Sequence, residues 1–332
     1  MANARDSRFD IIRALVILNA ITIHCHIEFI LGKIALPFEM LQGGLFSVGG
    51  FFFFTGGYMT QRIYLPRFSS QPRRLSRRLV QKGGSILGIY LIFLVVMYGI
   101  TGLTLPSVWP QVLFQARFYT EVLITFGLLF ALIPGILWLR SRLRWAIWLL
   151  LAICSALFLL YPTWDSPSLW LDYLCDRTVT VYPLLTALIT FCVGFLCAEG
   201  DAKYQLAQRP RFQYFALGVL LIHLLILGSS KTYLAFIIQK PFYTFFESLT
   251  PYLAIAALTP PLRIPLLKTA LTWPPFLALG IESLLTFILA NSLIILFPLS
   301  AEAGIGMKLL VLMGICIGVA GIGYGKQAIG RF

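Results

Sequence analysis

Charge is what this sequence has least of. Asp, Glu, Lys and Arg make up 12% of the 332 residues, about half the share found in a soluble domain. That scarcity excludes an ordinary water-soluble globule. Acids are scarcer still: 13 Asp and Glu stand against 26 Lys and Arg, for a formal net charge of +13. In a soluble protein such an excess would point to nucleic acid. Here the basic residues gather in loops on one side of a series of apolar runs, so no nucleic-acid partner is expected. The six cysteines (Cys25, Cys154, Cys175, Cys192, Cys197 and Cys316) include no CxxC pair, and five of them sit in apolar stretches. Cysteine there acts as a small hydrophobe, so neither a metal centre nor a disulfide framework is expected. No stretch rich in Gly, Pro and Ser marks off a second domain, so residues 1–332 read as a single transmembrane domain. No inverted repeat is visible, and no small-residue cleavage site follows the first apolar run.

What the chain has in abundance is long apolar runs. Hydrophobic residues are 59% of the sequence and mean hydropathy is +0.86. Many runs reach the roughly 20 residues needed to cross a bilayer as a helix. The expected fold is all-α, a polytopic transmembrane bundle of about ten helices. They fall near 10–32, 41–65, 84–104, 119–139, 145–162, 178–199, 212–230, 242–262, 272–298 and 304–325. Pro241, Pro251, Pro260 and Pro261 interrupt the eighth. Basic residues fix the orientation. Arg5 and Arg8, the stretch Arg62 to Lys82, Arg140/Arg142/Arg144, Lys203/Arg209/Arg211, Arg263/Lys268 and Lys326/Arg331 share one side. Only Lys33, Arg117, Arg177, Lys231 and Lys240 fall on the other. Both termini are therefore expected in the cytoplasm. The loop carrying Asp165, Asp172 and Asp176 is expected outside.

Ionisable residues inside such runs are the functional candidates, because lipid makes them costly. The first run holds four: Arg13, His24, His26 and Glu28, with Asp10 just before them. Arg13 and His24 are eleven positions apart, so on a helix they lie within roughly 20° of one face and about 16 Å apart along it. Glu28 is one turn past His24 on that face, while His26 points away. A neutral imidazole at His24 could take the proton from an acceptor hydroxyl, with Glu28 orienting the ring. The plainer alternative is a histidine that only hydrogen-bonds a neighbouring helix. Arg13 has two readings as well, a snorkelling anchor to lipid phosphates or a fork for a phosphate-bearing ligand, with Asp10 as its ion-pair partner.

The pattern of Asp10, two residues, Arg13, then ten residues and His24 resembles the acyltransferase-3 family of integral-membrane O-acyltransferases. Ala14 stands where that family commonly has glycine. The run Phe51 to Met59 is similar to the family's aromatic stretch ending in Ser-Gly-Tyr or Ser-Gly-Phe, with either Thr55 or Gly56 in the serine's place. The Arg-rich segment after the second helix matches too, without the proline often found beyond it. The resemblance covers roughly the first hundred residues. It implies an acyl group, acetyl first of all, taken from acyl-coenzyme A on the cytoplasmic side. The acceptor would be a hydroxyl of a cell-surface or lipid-linked glycan, and the location a bacterial inner (plasma) membrane. His24 and Glu28 would be catalytic. Asp10, Arg13, Tyr58, Arg74, Arg77 and Arg78 would serve the donor, with no metal. Either a thioester arm threading the bundle or a covalent acyl-enzyme would link the two levels. A homo-oligomer is compatible with all of this.

Two other readings remain beside it. The Arg62 to Lys82 stretch holds seven basic residues, and for most of them topological anchoring to anionic membrane lipid suffices. A series of intramembrane His, Arg and Glu could also line a transporter or flippase pathway. Gly49, Gly50, Gly56 and Gly57 around the Phe51–Phe54 block fit either close helix packing or a slot for an acyl chain. Glu121, His223, Glu247, Glu282, Asn291 and Lys308 are expected inside the bundle, with Glu282 and Asn291 sharing a face.

Overall fold

The structure, a computed structural model, describes residues 6–29, 48–102, 118, 120–161, 169–175, 183–229, 241–297, 299 and 303–329. Among them there is no strand. In chain order the α-helices are α1 Ser7–Phe29, α2 Val48–Met59, α3 Leu65–Ser70, α4 Pro72–Thr101, α5 Val122–Arg142, α6 Ala146–Leu160 and α7 Leu169–Cys175. They continue as α8 Leu184–Tyr204, α9 Pro210–Ser229, α10 Pro241–Ala257, α11 Pro265–Leu271, α12 Pro274–Ile281, α13 Ser283–Leu296 and α14 Ile305–Ile329. A π-turn, Thr60–Tyr64, joins α2 to α3.

A helix lies at each of the ten expected positions, but not all are spans by length and apolarity. Five described helices are long and apolar enough to cross a membrane, α1, α4, α5, α8 and α14, or six if the bent pair α12–α13 counts as one. The segment 66–83, expected as a loop, is largely helix. Pro72 sits in the first turn of α4, and the Arg, Leu and Gln residues that follow are good helix formers whatever their charge. The run 272–298 is not straight either: α12 and α13 meet at 93° around Glu282. The proposed position of Lys33, Arg117, Asp165, Asp176, Arg177 and the Lys231–Lys240 region lies outside the described residues, as do the side chains of His223 and Glu247.

The chain divides into two compact units. One contains α1, α9, the last turns of α10, and α11 to α14. Here α1 is the central element and packs on α12, α13 and α14. Ile11, Ile12, Ala14, Val16, Ile17, Ala20 and Ile21 are all buried, so its apolar residues face protein all round. The crossing with α12 is backbone on backbone: a Cβ at Gly280 would collide with the Asp10 carbonyl and crowd the Ala14 amide. Only a small residue fits opposite it, which accounts for Ala14.

The other unit contains α2 to α8 and the start of α10. Its α4 and α5 form a long antiparallel-type pair, and α8 packs on α5, α6, α7 and the π-turn. Gly57 and Gly194 let α2 and α8 touch, since a Cβ on the first would strike the Phe191 carbonyl and on the second the Phe54 carbonyl. On α4 the residues after Lys82 bear a wide exposed apolar face, with Val95 72% and Ile92 66% exposed. Such a face is unfavourable in water and natural in hydrocarbon. Several long apolar helices of this kind make the chain an integral membrane protein.

Candidate functional site

In the first unit, α1 carries polar groups at two levels. At its start Asp10 is buried and its carboxylate lies 3.6 Å from Arg13 Nη1. Two residues before Asp10, Arg8 Nη1 donates to Thr259 Oγ1 at 2.9 Å, and Arg8 also pairs with Asp6. The last helix, α14, sends Lys326 to the Glu282 carboxylate at the α12–α13 break. Thr286 Oγ1 lies within hydrogen-bond distance of the Leu279, Glu282 and Ser283 carbonyls, so a hydroxyl caps the backbone that the bend frees.

Fourteen positions further along α1, about 21 Å by helical rise, stands His24. Its Nδ1–H donates to Asn291 Oδ1 on α13 at 2.7 Å. Phe287, one turn earlier on α13, meets the imidazole edge to face with ring centroids 6.0 Å apart. Asn291 is buried and the histidine half-buried. The hydrogen bond fixes the ring plane and places the proton on Nδ1, so the lone pair is on Nε2.

The structure places the other expected residues as follows. Glu28 is exposed at the end of α1, while the His24 Nδ1–H donates to Asn291 on α13. Glu282 and Asn291 do not work from one face: the bend separates them, giving the first to Lys326 and the second to His24. Cys25, next to His24, is fully buried, and His26 is half-buried.

In the second unit, the Tyr58 phenol meets a carboxylate. Its hydroxyl donates to Asp201 Oδ2 at 3.0 Å, and both are buried beside the Gly57–Phe191 crossing. The glycines there are used for packing. Arg74, Arg77 and Arg78 are exposed on the first turns of α4. Arg140 Nη2 bonds Glu199 at 2.9 Å, and Lys82 lies over the Phe130 ring at 4.6 Å. At this unit's other end Tyr161 donates to Asp172, whose carboxylate adds to burial in raising the Tyr173 phenol above its usual value. Glu121, before α5, is buried, and its Oε2 has no hydrogen-bond partner among the described residues.

Two functional candidates were missed or misread in sequence. Asp201 was not singled out, though an acid close to the end of a span is a signal in itself. Asn291 was noticed for its phase with Glu282, when its true partner lay on the first helix.

The fold thus defines a class, a helical integral membrane protein with a polar pair held inside one unit. Comparison with family models, with curated proteins and with solved structures gave no match.

Proposed function

We propose that the protein is a membrane-bound O-acyltransferase of the acyltransferase-3 type. It moves an acyl group, acetyl in the first instance, from acyl-coenzyme A to a hydroxyl of a cell-surface or lipid-linked glycan. The observation that carries this reading is the His24–Asn291 hydrogen bond, which makes Nε2 the basic nitrogen of a neutral ring, about 16 Å along α1 from Arg13 and about 21 Å from Asp10.

The chemistry is balanced with one base. Nε2 takes the proton of the acceptor hydroxyl as its oxygen attacks the thioester carbonyl. The carbon–sulfur bond then breaks, and the imidazolium returns the proton to the departing thiolate. Arg13 fits a donor role, since its side chain is 22% exposed while Asp10 holds it from one side. Its guanidinium fork can meet a phosphate oxygen. Arg74, Arg77 and Arg78 are exposed cations suited to phosphate of a donor or of anionic lipid, and belong to the second unit.

The proposal includes about ten membrane crossings, both termini in the cytoplasm, and a bacterial inner membrane. The basic ends of α4 and α5, at Arg73–Lys82 and Arg140–Arg142, support this orientation by the positive-inside rule. A transporter or flippase is the second reading. Its one favourable observation is the broken helix α12–α13, since discontinuous helices often build transport sites.

The test is release of free coenzyme A from acetyl-coenzyme A by purified full-length protein in lipid nanodiscs, with and without sugar acceptors. Turnover that needs His24 and rises with pH as the imidazole loses its proton supports the enzyme. Substrate movement across vesicles with no thioester consumption overturns it in favour of transport.

A further inference from the structure

We infer that Asn291 is the positioning residue of this site and that it makes Nε2 the reactive nitrogen of His24, an inference that rests on the acyltransferase reading only for its kinetic part. A histidine on an isolated helix has two neutral tautomers and rotates about χ2, so a base on α1 alone would present either nitrogen in several directions. The short bond from Nδ1–H to Asn291 Oδ1 removes both freedoms. Phe287 closes the ring's edge from the same face of α13, because residues four apart on a helix stack on one side. Asn291 is buried and its neighbours on that face, Phe287 and Ile294, are buried too, so the amide is held by packing. A carboxamide does this without adding a negative charge beside the ring, which would tie up the imidazolium after proton transfer.

The arrangement also explains why α13 is a separate helix. A straight continuation of α12 would run in another direction, since the two axes meet at 93°. The break at Glu282 directs α13 so that Asn291 reaches His24. The Lys326–Glu282 ion pair and the Thr286 hydroxyl hold the break itself.

The sequence contains three histidines, so their ring nitrogens can be followed separately. Full-length protein labelled with ¹⁵N-histidine in nanodiscs would be compared with Asn291→Ala, Asn291→Asp and, to assign the signal, His24→Gln. The expected result is one tautomer for His24, protonated at Nδ1, in the wild type. Asn291→Ala should give a mixture. Asn291→Asp, which keeps an acceptor oxygen, should restore the single tautomer and shows that loss in the alanine variant is not unfolding. In turnover, Asn291→Ala should lower kcat by at least about tenfold, part of the 10²- to 10⁴-fold a general base supplies, with the KM for acetyl-coenzyme A unchanged. An unaltered His24 tautomer in Asn291→Ala overturns the inference. If the tautomer responds but the wild type consumes no acetyl-coenzyme A with any acceptor, positioning stands and the acyltransferase reading falls.

Discussion

The first and last helices show how differently two apolar stretches of one membrane protein can be used. Of a membrane-length stretch of α1, 78% is buried, against 28% for α14. Most of α1 meets protein, so its polar groups find partners there: Asp10 has Arg13, and His24 has Asn291. On α14, Leu310, Met313, Ile317 and Ile329 stand exposed, as lipid-facing residues would. Polarity in a span is therefore tolerated by position in the bundle, and the helix with the most ionisable groups is the one placed deepest.

The largest expected effect breaks the contrast at its chemical end. His24→Ala should lose about 10²- to 10⁴-fold in turnover while keeping donor binding, measured by coenzyme A release and by calorimetry. Wild-type turnover in this variant would remove the base from the scheme. Next comes the packing end. Gly280→Leu drives a side chain into the α1 backbone at Asp10 and should destabilise by about 3 kcal/mol or more, whereas Gly318→Leu on α14 meets open space and should leave thermal unfolding in nanodiscs unchanged. Equal losses for the two would mean that α1 is not the central helix. A moderate effect is expected at Arg13: Arg13→Ala should weaken acetyl-coenzyme A binding by about tenfold, and Arg13→Lys should recover part of it, as charge survives but the two-pronged fork is lost. Unchanged affinity in calorimetry would reduce Arg13 to a lipid anchor. The smallest effects sharpen the comparison within α1 itself. Glu28→Gln should fall between wild type and His24→Ala, and His26→Ala should turn over within about twofold of wild type, since two positions along α1 turn that ring away from the His24 face. A dead His26→Ala would show that the wrong ring was chosen.

Much of the helix layout was legible because about 20 apolar residues in a row admit few other structures. Charge misled where it was taken for the end of a helix: the arginines of α4 are helical like the apolar residues after them, since backbone hydrogen bonding does not depend on the solvent beyond it. The break at Glu282 was hidden inside a run that reads as one span from 272 to 298. Periodicity then assigned Glu282 and Asn291 to a common face, and the bend made that arithmetic void. Within α1 the phase of Arg13 and His24 could be read, because the helix is unbroken across both. The partner of His24 could not. It is 267 positions away, and local spacing carries no information about which helix will lie alongside.

The length of α4 has a consequence for how the second unit sits in lipid. Thirty residues make a rod about 45 Å long, while hydrocarbon is about 30 Å thick. The arginines and Lys82 mark where the rod must leave the oil, and Lys82 is further held over Phe130 of α5. Sliding inward would drag cations into the acyl chains, so α4 is a depth gauge with a fixed zero. In a thinner or thicker bilayer it cannot shift along its axis and must lean instead. Because a Cβ at Gly83 would strike the Gly127 carbonyl, the two rods touch closely enough that α5 has to lean with it. Acyl-chain length thus acts on this pair as an angle.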